Sequence, residues 1–78
     1  MMKLVQILGA GCPKCEQLRK NAEAAIAALG IEATVEKITE VERILDFDVL
    51  MTPALVVDGE VKAVGQVLAP EQIQKFLA

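Results

Sequence analysis

The first half of the chain alternates too regularly to leave much choice of fold. Residues 3–8 are an apolar, strand-like run, a glycine-rich turn follows at 9–11, and residues 13–29 then carry apolar side chains at helical spacing. Cys15, Leu18, Ala22, Ala25, Ile26 and Leu29 form one stripe, with Lys14, Gln17 and Asn21 among the polar residues around the rest of the helix. Gly30 is a natural helix stop, and residues 31–38 resume a strand of imperfect period two. Strand, helix and strand in that order can join a single sheet only by a crossover, which makes the two strands parallel.

The second half adds a different connection. Thr39-Glu40-Val41-Glu42 fits a capping box and opens a short helix to about residue 46, expected to bury Val41, Ile44 and Leu45. Strands at 54–57 and 61–64 are joined through Asp58-Gly59, a tight-hairpin signal because both turn positions tolerate positive φ. Pro70 starts a last helix whose inward face is expected to be Ile73, Phe76 and Leu77. The order β-α-β-α-β-β-α predicts an α/β fold, a four-stranded mixed sheet with helices on its faces, as a single domain over residues 1–78.

A chain of this length buries only about 60% of the surface its unfolded form exposes, so the core must be efficient. Only Phe47 and Phe76 are aromatic, and the interior therefore falls to Val, Ile, Leu and Ala. The net charge of −3 argues against a nucleic-acid partner held through phosphates. The uncharged stretches at 4–13 and 49–57 are far below the roughly 20 apolar residues that cross a bilayer. The opening run is too short and too interrupted for a signal peptide, which makes the cytoplasm the expected compartment, with no membrane partner expected.

Cys12 and Cys15 are the only cysteines, arranged Cys12-Pro13-Lys14-Cys15 where the first strand gives way to the first helix. Residues three apart share a helix face, and the free N–H groups of a first turn favour a thiolate. In the first 20 residues Lys3, Lys14, Arg19 and Lys20 are offset by Glu16 alone, so positive charge is expected to collect around the two thiols. A lone pair of cysteines in the cytoplasm points to catalysis or metal binding rather than to a permanent staple. Cys12, preceding the helix, would attack a substrate disulfide, and Cys15, at the head of the buried stripe, would resolve the mixed disulfide. Pro13 limits the backbone between them, and Lys14 contributes charge. Structural zinc is poorly supplied, because two cysteines without histidine fall short of four ligands. Two alternatives stand beside redox exchange. One is a soft-metal, Cu(I)-type chaperone, against which Ala10 stands where methionine is usual; the other is a dithiol sensor without enzymatic turnover.

These features together resemble the thioredoxin/glutaredoxin superfamily, most closely its small redox-active disulfide proteins, the glutaredoxin-like thioredoxins. The resemblance spans the chain and rests on Cys12-Pro13-Lys14-Cys15, on 51–59 (Met51-Thr52-Pro53-Ala54-Leu55-Val56-Val57-Asp58-Gly59) and on Gly65. It implies a three-layer sandwich and a thiol–disulfide oxidoreductase with no bound organic cofactor, its redox group being a Cys12–Cys15 disulfide. Pro53 would be a cis-proline facing the dithiol, Thr52 would offer backbone groups to an extended substrate, and Gly65 would allow close approach beside the same groove. Pro13, Lys14, Thr52, Pro53 and Gly65 are thus the expected substrate-binding residues. The implied partners are disulfide-containing proteins or small thiols, with a reductase or glutathione as electron donor and the chain acting as a monomer. Gln6 occupies the position where many members carry an acid. A neutral amide is no carboxylate base, which leaves the proton of Cys15 to water or another group.

Overall fold

A computed structural model describes residues 3–11 and 13–78. Seven elements follow in the order β1 (Lys3–Leu8), α1 (Pro13–Leu29), β2 (Ala33–Ile38), α2 (Val41–Leu45), β3 (Ala54–Val57), β4 (Glu60–Val64) and α3 (Pro70–Leu77). The strands form one mixed sheet in the order β2-β1-β3-β4. The α1 crossover sets β2 parallel to β1, with Lys3 opposite Ala33 and Leu8 opposite Ile38. β3 runs antiparallel to β1, and the hairpin returns β4 antiparallel to β3. The hairpin turns as its sequence demands, Asp58 at φ 50° and Gly59 at φ 85°.

Alternation along the central strands divides the core into two layers. Val5, Ile7, Leu55 and Val57 face α1 and α3, packing with Leu18, Ala22, Ala25, Ile73 and Leu77. Leu8, Ala54 and Val56 face the other way, onto Ile38, Ile44 and Val49. β3 is buried at all four positions because both its faces are covered, which is why it reads as an unbroken apolar run. Each fully buried Leu or Ile here contributes about 1.5–3 kcal/mol relative to exposure. Gln6 is the one buried polar side chain among the described residues, and its Nε2 donates to Glu36 Oε1 at 2.9 Å across the β1–β2 pair.

The second layer is thin, and several sequence expectations fail there. α2 starts at Val41 with Glu40 as its N-cap and no side-chain capping bond, so the Thr39 capping box does not form. With that start the third helical residue is Arg43, which cannot supply the acceptor that a box needs. Of the three apolar residues expected inside, only Ile44 is buried; Val41 is 64% and Leu45 51% exposed. One helical turn presents a single residue to the sheet, and its other apolar side chains point into solvent. In α3, Ile73 and Leu77 are buried as expected but Phe76 is exposed, with Lys62 Nζ lying 5.8 Å from its ring centroid. Lys62 is the extra residue of a register shift between Leu55 and Val56. β2 begins at Ala33 rather than at Ile31, and β4 gains Glu60. No helix among the described residues is long and apolar enough to cross a membrane.

Candidate functional site

Strand register assembles the site. Leu8, the last residue of β1, pairs with Ala54, the first of β3, and Ala54 also pairs with Val64, the last of β4. Ile38, the last residue of β2, is opposite Leu8. Three chain segments therefore converge at one end of the sheet: the one leaving β1 for α1, the one entering β3, and the one leaving β4. They carry Gly9 to Cys15, Met51 to Pro53, and Gly65 respectively.

Cys15 stands in the first turn of α1 and is 5% exposed. It begins the buried stripe, as the spacing of its helix implies. No described cysteine is a free thiol. Cys12 lies outside the described residues, and with it the expected geometry of the nucleophile. The residue that fixes Cys15 against the sheet is Gly9, whose N–H donates to Ile38 O at 2.9 Å. A Cβ built on Gly9 would meet Cys15 Sγ at 2.2 Å and Thr52 Cβ at 3.8 Å. A side chain there is sterically impossible without moving the sulfur. In the sequence Gly9 reads only as part of a glycine-rich turn; a glycine that ends a buried strand beside a cysteine motif is the available signal of close approach.

The Thr52–Pro53 peptide is cis, in line with the resemblance. Pro53 is fully buried and Thr52 exposed. Pro53 O accepts from Gly65 N–H at 2.7 Å, which ties the entry of β3 to the exit of β4. Gly65 has φ 71°, a left-handed value that disfavours any side chain, and a Cβ there would meet Met51 Cε at 3.2 Å. Thr52, Pro53 and Gly65 are thus brought to the Cys15 end of the sheet. Pro13 is the first residue of α1, and it and Lys14 are both exposed on the same side of the fold.

The charge expectation needs correcting. Lys3 sits at the opposite end of β1, about 17 Å along the strand, and approaches Asp58 at 3.6 Å. Arg19 folds over α1 to pair with Glu16 and with Glu23, and Lys37 reaches Glu16 at 3.5 Å. The Arg19 hydrogen bond holds the Glu16 carboxyl below the ordinary range, and Glu16 in turn raises the Arg19 guanidinium. Cations close in sequence are therefore dispersed or neutralised in space, leaving Lys14 and Lys20 as the exposed lysines near the start of α1.

Beside Thr52 the surface opens into an apolar cleft of about 220 Å³, lined by Ala10, Val41, Ile44, Leu45, Val49, Leu50 and Thr52. The side chains that α2 leaves uncovered form one wall. Leu50, 89% exposed, and Met51, 61% exposed, continue the apolar surface toward Gly65.

Comparison with known proteins agrees with this geometry. The chain matches the thioredoxin domain over residues 3–78. A protein named thioredoxin from Methanothermobacter thermautotrophicus is 47% identical over 78 residues, covering 100% of both chains. Another of that name, from Methanocaldococcus jannaschii, is 35% identical over 77 residues, or 99% of this chain and 88% of that one. Because the match extends from the first strand to the last helix, this chain belongs to the thioredoxin family.

Proposed function

We propose that the protein is a cytoplasmic thiol–disulfide oxidoreductase that reduces protein or small-thiol disulfides with Cys12 as nucleophile and Cys15 as resolving thiol. Membership of a family of thiol–disulfide oxidoreductases supports the reaction class. The observation that carries the assignment of roles is the shielding of Cys15, packed on Gly9 within the first turn of α1. A buried sulfur suits the second, intramolecular attack and poorly suits the first.

In the forward direction the Cys12 thiolate attacks one sulfur of the substrate disulfide. A Cys12–substrate bond forms, and the other substrate sulfur departs as a thiolate that takes a proton from solvent. Cys15, its proton passing to water or another base, then attacks the Cys12 sulfur. The second substrate thiolate is released, and a Cys12–Cys15 disulfide holds the oxidation equivalent of the two electrons transferred. A reductase or glutathione restores the dithiol. Thr52, next to buried Pro53, aligns an extended substrate through its backbone, and Pro13, Lys14 and Gly65 border the same approach.

The test supplies the metal-free, pre-reduced protein with a protein disulfide and compares a thioredoxin reductase with glutathione for turnover. Stoichiometric reduction by the pre-reduced protein, followed by turnover with one donor, supports the reading. Absence of any reduction by the pre-reduced protein overturns it.

A further inference from the structure

We infer that the cleft between α2 and the 49–52 segment is a specificity pocket for a protein substrate, taking an apolar side chain of a segment that also carries lysine or arginine. The inference rests on the redox reading and adds to it the chemistry of the partner. Val41 and Leu45 lie at positions whose periodicity should make them core, yet both are open, and Leu50 and Met51 beside them are more exposed than a stable monomer requires. The cleft they border is next to Thr52, which shares the Gly9 contact with Cys15. An apolar side chain entering there holds the neighbouring backbone of its own chain at the dithiol.

The rim defines what accompanies that side chain. Segment 40–48 contains four carboxylates, Glu40, Glu42, Asp46 and Asp48, all exposed, against one cation, Arg43. Arg43 is already engaged by Glu36 at 3.4 Å and by Glu40 at 3.7 Å. On its α2 side the cleft is therefore lined by residues whose sequence neighbours carry surplus negative charge, with Lys14 the cation on the α1 side, and that surplus attracts a cationic segment and raises its rate of encounter. The same charge argues against two other occupants. An anionic bilayer would be repelled, and a second copy of this chain across a two-fold axis would bring like carboxylates together.

The test uses pre-reduced protein in single-turnover reactions with three short synthetic peptides, each bearing one cysteine capped by 5-thio-2-nitrobenzoate. One peptide carries leucine and two lysines beside the cysteine, the second serine and two lysines, and the third serine and two glutamates. Each reaction passes two electrons from the protein dithiol to the peptide disulfide, releasing peptide thiol and coloured thionitrobenzoate. Rates are normalised to those with dithiothreitol, which removes the intrinsic reactivity of each peptide. The leucine–lysine peptide is expected to react about tenfold faster than the serine–glutamate peptide, the serine–lysine peptide falling between them. Added salt should shrink the charge-dependent part. In Leu50→Ser the leucine preference should fall toward one, and in Glu42→Gln with Asp46→Asn the lysine preference should do so. Equal normalised rates for all three peptides with the wild-type protein overturn the pocket while leaving the redox reading intact. No release from any peptide overturns the redox reading and the pocket with it.

Discussion

The sulfur of Cys15 occupies the space that a Cβ on Gly9 would need, only 2.2 Å away. Strand end and helix start are thereby locked at van der Waals contact, and the buried sulfur is positioned by an absence of side chain. Gly9→Ala should displace the sulfur or the strand end, costing about 1–3 kcal/mol by overpacking. Chemical denaturation measures that loss. Disulfide exchange should slow in the same variant even under conditions where it remains folded.

Gly65 faces a different constraint, because backbone and neighbour both oppose a side chain there. Gly65→Ala is expected to destabilise by about 1 kcal/mol or more, from its φ of 71° and from Met51 Cε. Pairing it with Met51→Ala should recover only the steric part. A double-mutant cycle in denaturant separates the two, and complete recovery would show that the backbone conformation contributes nothing.

Asp58 gives the fold an acid-sensitive clasp at the end opposite the site. Its Oδ1 accepts from Leu4 N–H at 2.9 Å, and that bond, aided by Lys3 against a smaller opposing effect of burial, holds its carboxyl below the usual range. A carboxyl depressed on folding contributes stability that is fully present above its unfolded pKa, about 3.9, and is lost as pH falls through the folded value. Asp58→Asn tolerates the positive φ and should flatten the acid limb of the stability profile. Identical limbs in both proteins would remove Asp58 from the account. Glu16, also lowered, through Arg19, remains in both proteins and cancels in the comparison. Glu60, lowered through Lys62, feels the Asp58 charge as an opposing effect, so the variant lowers it slightly further.

Apolar residues at the two depths should respond unequally to truncation. Leu55→Ala, in the layer under α1 and α3, should cost about 2–5 kcal/mol, whereas Leu50→Ser should change stability by about 0.5 kcal/mol or less. Thermal unfolding of both distinguishes a core leucine from one displayed for a partner. A large loss at Leu50 would mean that it is structural.

Where local chemistry determined an element, it was readable from the letters. The stripe from Cys15 to Ala25, the Asp58-Gly59 turn and Pro70 at the start of α3 depend on residues within a turn or two of each other. The cis state of Thr52–Pro53 and the approach of Gly65 came through resemblance, since nothing within the tripeptide specifies them. Failures arose where a distant segment decides. Periodicity marks Val41 and Leu45 as apolar-facing, but a five-residue helix has too little length to carry them onto the sheet. Phe76 belongs to the α3 stripe, yet its neighbour is Lys62 of a bulged edge strand, a pairing invisible in one dimension. Lys3 is near the cysteines in sequence and a strand length away in space. The one steric fact that most shapes the site, Gly9 against Cys15, was masked because a glycine in a turn has an ordinary local explanation.

The division of labour between the two sulfurs is tested most directly by intact mass spectrometry of the single variants after exposure to a peptide disulfide. Cys15→Ser should accumulate a covalent adduct through Cys12, heavier by the mass of one peptide, whereas Cys12→Ser should accumulate little and reduce no substrate. An adduct that forms through Cys15 in the Cys12→Ser protein, or wild-type turnover by both variants, would contradict the account.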